Sequence, residues 1–139
     1  MEIKEFIGLD VGQRHTGIAR ASNGARLAEP LMSVKTSDVL KTLDELIKKQ
    51  AVDAVIVGLP RNLSGDDTTQ TAWVRDWVTQ AKVRIDLPFY WQDEALTSKV
   101  AASRELIKKQ QAKADIDSLA AAIILQDFLD TPEAERVVC

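Results

Sequence analysis

A chain of 139 residues, 45% hydrophobic and 28% charged, is expected to form one globular domain, 1–139, with a single substantial core. One cysteine, Cys139, and one histidine, His15, exclude an intrachain disulfide, a cysteine zinc cluster and a multi-histidine site, so any metal must be held by oxygen. With 18 Lys+Arg against 21 Asp+Glu and a formal net charge of -3, the whole-molecule field does not draw in nucleic acid, and a nucleic-acid role must rest on local features.

The stretch from Phe6 to Val11 is mostly apolar and bounded by Gly12. This suits a strand buried on both faces, in which the single carboxylate, Asp10, is conspicuous. Thr16 to Ala21 follows a short glycine-containing turn, and Asn23-Gly24 leads into a third strand from Ala25 to Val34. These three strands read as an antiparallel meander, with Pro30 placing the third at a sheet edge. Thr36 or Ser37 can cap a helix whose Leu40, Leu43, Leu46 and Ile47 recur at helical spacing, and Lys48-Lys49 complement its dipole. Ala54 to Val57, closed by Gly58-Leu59-Pro60, is a buried strand parallel to the first, because a helix joins them. A polar loop from Arg61 to Thr69 precedes a second amphipathic helix carrying Trp73, Val74, Trp77, Val78 and Ala81. Pro88 to Gln92 is a third parallel strand, ending in Asp93-Glu94.

Two helices finish the pattern, Ser98 to Gln110 and Asp117 to Leu129, the latter apolar nearly all round and therefore buried. Between them Lys108 to Ala114 reads as a polar, basic loop, and Thr131 to Cys139 as a frayed tail. Met1-Glu2-Ile3-Lys4-Glu5 does not resemble a leader, and the longest apolar run, Leu119 to Leu125, is shorter than the ~20 residues a bilayer needs. A cytoplasmic protein with no membrane partner is expected. The element order predicts an α/β fold of the ribonuclease H-like type. Its mixed sheet would have five strands, the first three antiparallel and the first, fourth and fifth parallel, with helices on both faces.

In such a sheet the functional groups gather at the strands' carboxyl ends and at neighbouring helix starts. Three carboxylates fit that rule: Asp10, Glu94 and Asp117. A lone acid at a strand end is usually solvated, and one in a helix's first turn is usually a cap. Asp10 differs, because a carboxylate within an apolar strand carries a desolvation cost unless a metal or hydrogen-bond donors offset it. Three acids in one place would repel one another unless a cation sat among them, and oxygen-only ligation suits Mg²⁺ or Mn²⁺. The Gly12 to Gly17 turn lets backbone pass close to whatever Asp10 binds, with Arg14 available to a phosphate. Arg61 and Asn62, in the loop from Gly58 to Gly65, are further candidates for phosphate contact. Lys108, Lys109 and Lys113 would form a phosphate-tracking patch.

Four segments in order resemble the YqgF (RuvX) family. They are Leu9-Asp10-Val11-Gly12 through Gly17-Ile18-Ala19, Val57-Gly58-Leu59-Pro60 through Gly65, Asp93-Glu94-Ala95-Leu96-Thr97-Ser98, and Ile116-Asp117-Ser118 leading into Ala121 to Leu125. The resemblance covers nearly the whole chain and implies a ribonuclease H-like nuclease acting on pre-16S rRNA or on Holliday junctions. By resemblance Asp10, Glu94 and Asp117 fall on the family's acidic positions and Arg14 on a basic one. The chain departs from the family in having Ala95 where a basic residue is usual. It also has Asp115 and Ala120 where a basic residue and a serine are frequent. Asp93 and Asp115 stand as spare acids beside Glu94 and Asp117.

The implied reaction is metal-dependent phosphodiester hydrolysis in structured RNA or branched DNA. Asp10 would bridge two ions about 4 Å apart, with Glu94 and Asp117 on the flanks. A junction has two-fold symmetry and would suit a homodimer, whereas trimming an RNA end needs one site. Two other classes compete. The segment from Asp10 to Gly17 also resembles the first phosphate loop of actin-like ATPases and sugar kinases, which need two domains. A catalytically silent nucleic-acid-binding protein would suit the acidic balance and Ala95.

Overall fold

Residues 2–62, 64–95 and 116–139 are described by a computed structural model. In chain order the elements are β1 (Glu5–Val11), β2 (His15–Ser22), β3 (Glu29–Lys35), a 3₁₀ turn (Thr36–Asp38), α1 (Val39–Lys49), β4 (Ala54–Arg61), α2 (Thr69–Arg84) and β5 (Phe89–Ala95). After these come α3 (Ile116–Asp130), a second 3₁₀ turn (Glu133–Glu135) and β6 (Val137–Val138). The strands lie in the order β3-β2-β1-β4-β5-β6. β1 runs antiparallel to β2 and parallel to β4, and β5 runs parallel to β4. The mixed α/β sheet and its covering helices are as the sequence predicts, with β3, which carries Pro30, at an edge.

Alternation along the strands divides the molecule into two cores. Ile7, Leu9 and Val11 of β1 and Val55 and Val57 of β4 face α1 and α2, packing with Val39, Leu43, Val74 and Val78. Their neighbours Phe6, Ala54 and Ile56 face α3, against Ala121, Ile124, Leu125 and Phe128. Such side chains, fully buried, each contribute about 1.5–3 kcal/mol. Because α3 is lined with Ser118, Ala120, Ala121 and Ala122, all buried, it can lie close to the sheet. Gly8 of β1 completes the fit: a Cβ there would stand 2.8 Å from Leu125 Cβ and 3.2 Å from the Ala121 carbonyl oxygen.

Four details differ from the expectation. The sheet has six strands rather than five, because the segment from Thr131 to Cys139 is not frayed. Val137 and Val138 pair with Trp91 and Tyr90, the Cys139 amide donates to the Phe89 carbonyl at 2.9 Å, and Lys82 Nζ donates to the Cys139 carbonyl at 2.8 Å. The open edge of β5 supplies these partners, and so short a strand leaves no periodic signal. β3 begins at Glu29, not Ala25, because the Asn23 side chain turns back to accept from Lys4 N and donate to the Glu2 carbonyl. Arg26, at φ 54, bends the loop further. Thr36 does not cap α1; its hydroxyl donates to the Gly12 carbonyl at 2.6 Å and shares a hydrogen bond with Thr16 Oγ1. Asp38 takes the N-cap position without a side-chain bond. The predicted helix from Ser98 to Gln110 and the basic loop lie outside the described residues. Among the described residues no helix is long and apolar enough to cross a membrane.

Two outcomes follow from this packing. Gly8→Ala should lower the unfolding free energy by about 1–3 kcal/mol through overpacking, although the same change at an open strand position would reduce unfolded-state freedom and stabilise. A urea titration with an unchanged midpoint would mean that α3 is not seated as described. Burial pushes the Cys139 thiol up to about 12 against the lowering influence of Lys82 and Arg75. At pH 8 iodoacetamide should therefore modify Cys139 at least about a hundredfold more slowly in the folded protein than in urea. Equal rates by mass spectrometry would show that this end of the chain is not docked.

Candidate active site

Asp10 pairs across the sheet with Gly17 of β2, and Gly17 with Ser33 of β3. On the other side Leu9 pairs with Val57 of β4, which brings Gly58 alongside Asp10. The carboxylate-bearing position is thus flanked on both neighbouring strands by residues with no side chain. Alternation turns Asp10 toward α3, the side that Phe6 and Gly8 also face.

Each bare position is occupied by an acid from elsewhere. A Cβ at Gly17 would overlap the carbonyl of Asp117, in the first turn of α3. A Cβ at Gly58 would come within 3.1 Å of Glu94 Oε2 and 2.6 Å of Ile124 Cδ1. Glu94 belongs two residues beyond the Gly58 level, since Gly58 pairs with Gln92 and Pro60 with Glu94. Its side chain reaches back over the glycine. Asp117, Asp10 and Glu94 therefore stand over three consecutive strands, β2, β1 and β4, spaced about 4.8 Å apart. All three are half-buried. Asp117 Oδ2 accepts a hydrogen bond from Ser33 Oγ at 3.2 Å.

Arg14 lies at the same end of β1, exposed in the turn between β1 and β2. That turn is fixed from three sides: Gly12 N donates to the His15 carbonyl at 3.0 Å, Thr36 N to the Arg14 carbonyl at 2.9 Å, and Thr36 Oγ1 to the Gly12 carbonyl. Gly12 is required there, because a Cβ would stand 2.6 Å from the His15 carbonyl oxygen.

Arg61 and Asn62 do not join this group. Arg61 continues the row of Val57 and Leu59, on the face opposite α3, and its Nε lies 3.3 Å from Asp67 and 3.6 Å from Asp93. Asp93 is turned the same way and held by Arg61, so it is no substitute for Glu94. The Asn62 side chain accepts from the amides of Ser64 and Asp66, shaping its own loop. Lys108, Lys109, Lys113 and Asp115 lie outside the described residues. The sequence does not single out Ser33 or Thr16, common hydroxyl residues with no distinguishing spacing, and offers Thr36 only as a helix cap. Gly17 and Gly58 were noted only as turn and loop glycines, not as the residues that make room for carboxylates.

Among the described residues no three histidine, cysteine or acidic side chains close around one point. A hydrated hard cation does not need such a cage: Mg²⁺ keeps several waters and takes one or two carboxylates from a protein. Half-buried carboxylates over a floor cleared by two glycines fit that requirement. No thiolate or imidazole is among these donors, which excludes a preference for softer metals.

Residues 4–131 match the RuvX family, described as Holliday junction resolvase. A protein of Roseiflexus sp. (strain RS-1), named "Putative pre-16S rRNA nuclease", is 41% identical over 90% of this chain and 93% of its own length. One of Nitratidesulfovibrio vulgaris (strain DP4) with the same name is 37% identical over 95% of this chain and 97% of its own. Among solved structures, T. thermophilus RuvC in complex with Holliday junction substrate aligns with a TM-score of 0.63 at 17% identity, over 98% of this chain and 99% of that one. That likeness shows the fold, which is ribonuclease H-like as the element order predicts. Matched along most of its length, with relatives above 30% identity spanning nearly all of both chains, this chain belongs to the RuvX family.

Proposed function

We propose that this chain is a metal-dependent nuclease that hydrolyses phosphodiester bonds in the 5′ maturation of pre-16S rRNA. One observation carries the reading: Asp10, at the carboxyl end of a central strand, is flanked by Gly17 and Gly58, and the space they leave is taken by Asp117 and Glu94. The three acids, each half-buried, collect over that part of the sheet. Without a cation these acids would repel a phosphodiester, so substrate approach itself requires charge reversal. Mg²⁺ or Mn²⁺, when bound, supplies Lewis-acid charge for activating water and stabilising the departing oxygen. Asp10 is the central ligand, with Glu94 and Asp117 on either side. Arg14, exposed at the same strand end, is suited to hold a neighbouring phosphate. The single domain, 1–139, acts in the cytoplasm, and one active site suffices to trim an RNA end.

The family's description favours a second reading, cleavage of branched DNA. There two copies, each with one site, would match the symmetry of a junction.

Both readings are tested by incubating the purified protein with a precursor rRNA end and with a four-way junction, in Mg²⁺, Mn²⁺ or chelator. Asp10→Asn keeps the volume and removes the charge. It should leave the circular dichroism spectrum unchanged and reduce cleavage by on the order of 10³-fold or more, the rate equivalent of several kcal/mol of charge stabilisation. Undiminished cleavage by the variant would overturn the proposal. Binding without cleavage in either metal would favour a catalytically silent protein.

A further inference from the structure

Ser33 lies on the edge strand β3, where nothing in its sequence surroundings points to the active site. Its partner across the ladder is Gly17, and Gly17's partner is Asp10. One row of the sheet therefore runs Ser33, Gly17, Asp10, with all three positions facing α3. The middle residue has no side chain, and the backbone of Asp117 fills its place. Once there, the Asp117 carboxylate accepts a hydrogen bond from Ser33 Oγ, 3.2 Å from Oδ2.

We infer that Ser33 is a positioning residue for the metal site: its hydroxyl occupies Oδ2 of Asp117 and turns Oδ1 to the cation. The inference rests on the reading of Asp117 as a ligand. A carboxylate in the first turn of a helix has several accessible rotamers, and on a bare glycine floor no neighbouring Cβ selects among them. A hydroxyl from β3 selects one. Because the serine proton is the donor, the bond engages one carboxylate oxygen as acceptor and leaves the second able to coordinate. Such outer partners of ligating carboxylates are typically worth 10–100-fold in metal affinity. At 3.2 Å the bond is longer than the 2.7–2.8 Å usual for a hydroxyl donor, which places the effect near the lower end.

Ser33 is half-buried on an edge strand, so its replacement by alanine or threonine is compatible with the fold. The test is calorimetric titration of Mn²⁺ into the protein without nucleic acid, comparing wild type, Ser33→Ala, Ser33→Thr, Asp117→Asn and Asp10→Asn, with melting temperatures as a control. Ser33→Ala should bind Mn²⁺ about tenfold more weakly and require correspondingly more metal for half-maximal cleavage, with the rate at saturating metal nearly unchanged. Ser33→Thr, which keeps the hydroxyl, should restore both. Wild-type affinity in Ser33→Ala alongside weakened Asp117→Asn would overturn the role of Ser33 and leave the ligand assignment standing. Tighter binding by Ser33→Ala would also overturn it, since the hydroxyl would then be holding Asp117 away from the metal. If neither aspartate variant loses affinity, the metal site itself is refuted and the role of Ser33 with it.

Discussion

The structure depends on how closely α3 can approach the sheet. A helix packed on a sheet through ordinary side chains stands about 10 Å away, too far for its backbone to touch strand atoms. Here Gly8 on β1, Gly17 on β2 and Gly58 on β4 lie beneath it, each at a position where a Cβ would collide with α3 or with a side chain beside it. Small residues on the helix, Ser118, Ala120, Ala121 and Ala122, answer them. Close approach brings the first turn of α3 down to the level of Asp10. Packing and chemistry are thus one constraint: the contact that seals the second core also delivers Asp117.

The two faces of the sheet divide the work. The face toward α1 and α2 is filled by branched side chains, among them Ile7, Leu9, Val55, Val57 and Val74, all at most 1% exposed. Charges at its margin are neutralised locally, as Arg61 is by Asp67 and Asp93 and as Arg84 is by Asp44 at 2.7 Å. Partly exposed pairs of this kind contribute little, about 0–1 kcal/mol each. The face toward α3 is built from small residues and aromatic rings, with Phe128 in contact with Phe6 and Tyr90 at centroid distances of 5.6 and 5.3 Å. Its apolar cluster occupies the end at which the parallel strands begin, and the end at which they finish is left to carboxylates. Adjacent residues of one strand can therefore differ in kind: Asp93 serves an ion pair on one face, and Glu94 reaches over Gly58 on the other.

Much of this was legible in the sequence because it is written in short-range pattern. Apolar runs closed by glycine mark β1 and β4, helical spacing marks α1 and α2, and an acid inside an apolar strand marks Asp10. The strand-end and helix-start rule, joined by the resemblance, singles out Glu94 and Asp117, each of which alone would read as a strand end or a helix cap. Long-range register was not legible. Whether Arg61 points with Glu94 or away from it turns on one residue of β alternation, and no composition rule decides it. Ser33 escapes notice for the same reason, and Thr36 reads as a helix cap, since each bonds to a residue far away in sequence. The strand at Val137 was hidden by its shortness, because its pairing depends on a vacant edge rather than on a pattern of its own.

The charge balance, which argues against a nucleic-acid enzyme at first sight, becomes intelligible from the site outward. A basic surface would bind phosphates in many registers, whereas on the proposed reading attraction exerted through cations at Asp10, Glu94 and Asp117 would be confined to the place where the bond is cut. Affinity would then be coupled to catalysis, because without metal the same residues would repel the substrate. Arg14 is exposed beside that place, on a turn whose backbone is held by Gly12, His15, Thr16 and Thr36. A rigid mount is what the proposed phosphate contact would need, because its value would lie in orienting the scissile bond over Asp10 rather than in binding strength. In a chain of net charge -3, selectivity for an attacked phosphate over a merely bound one would then rest on that arrangement.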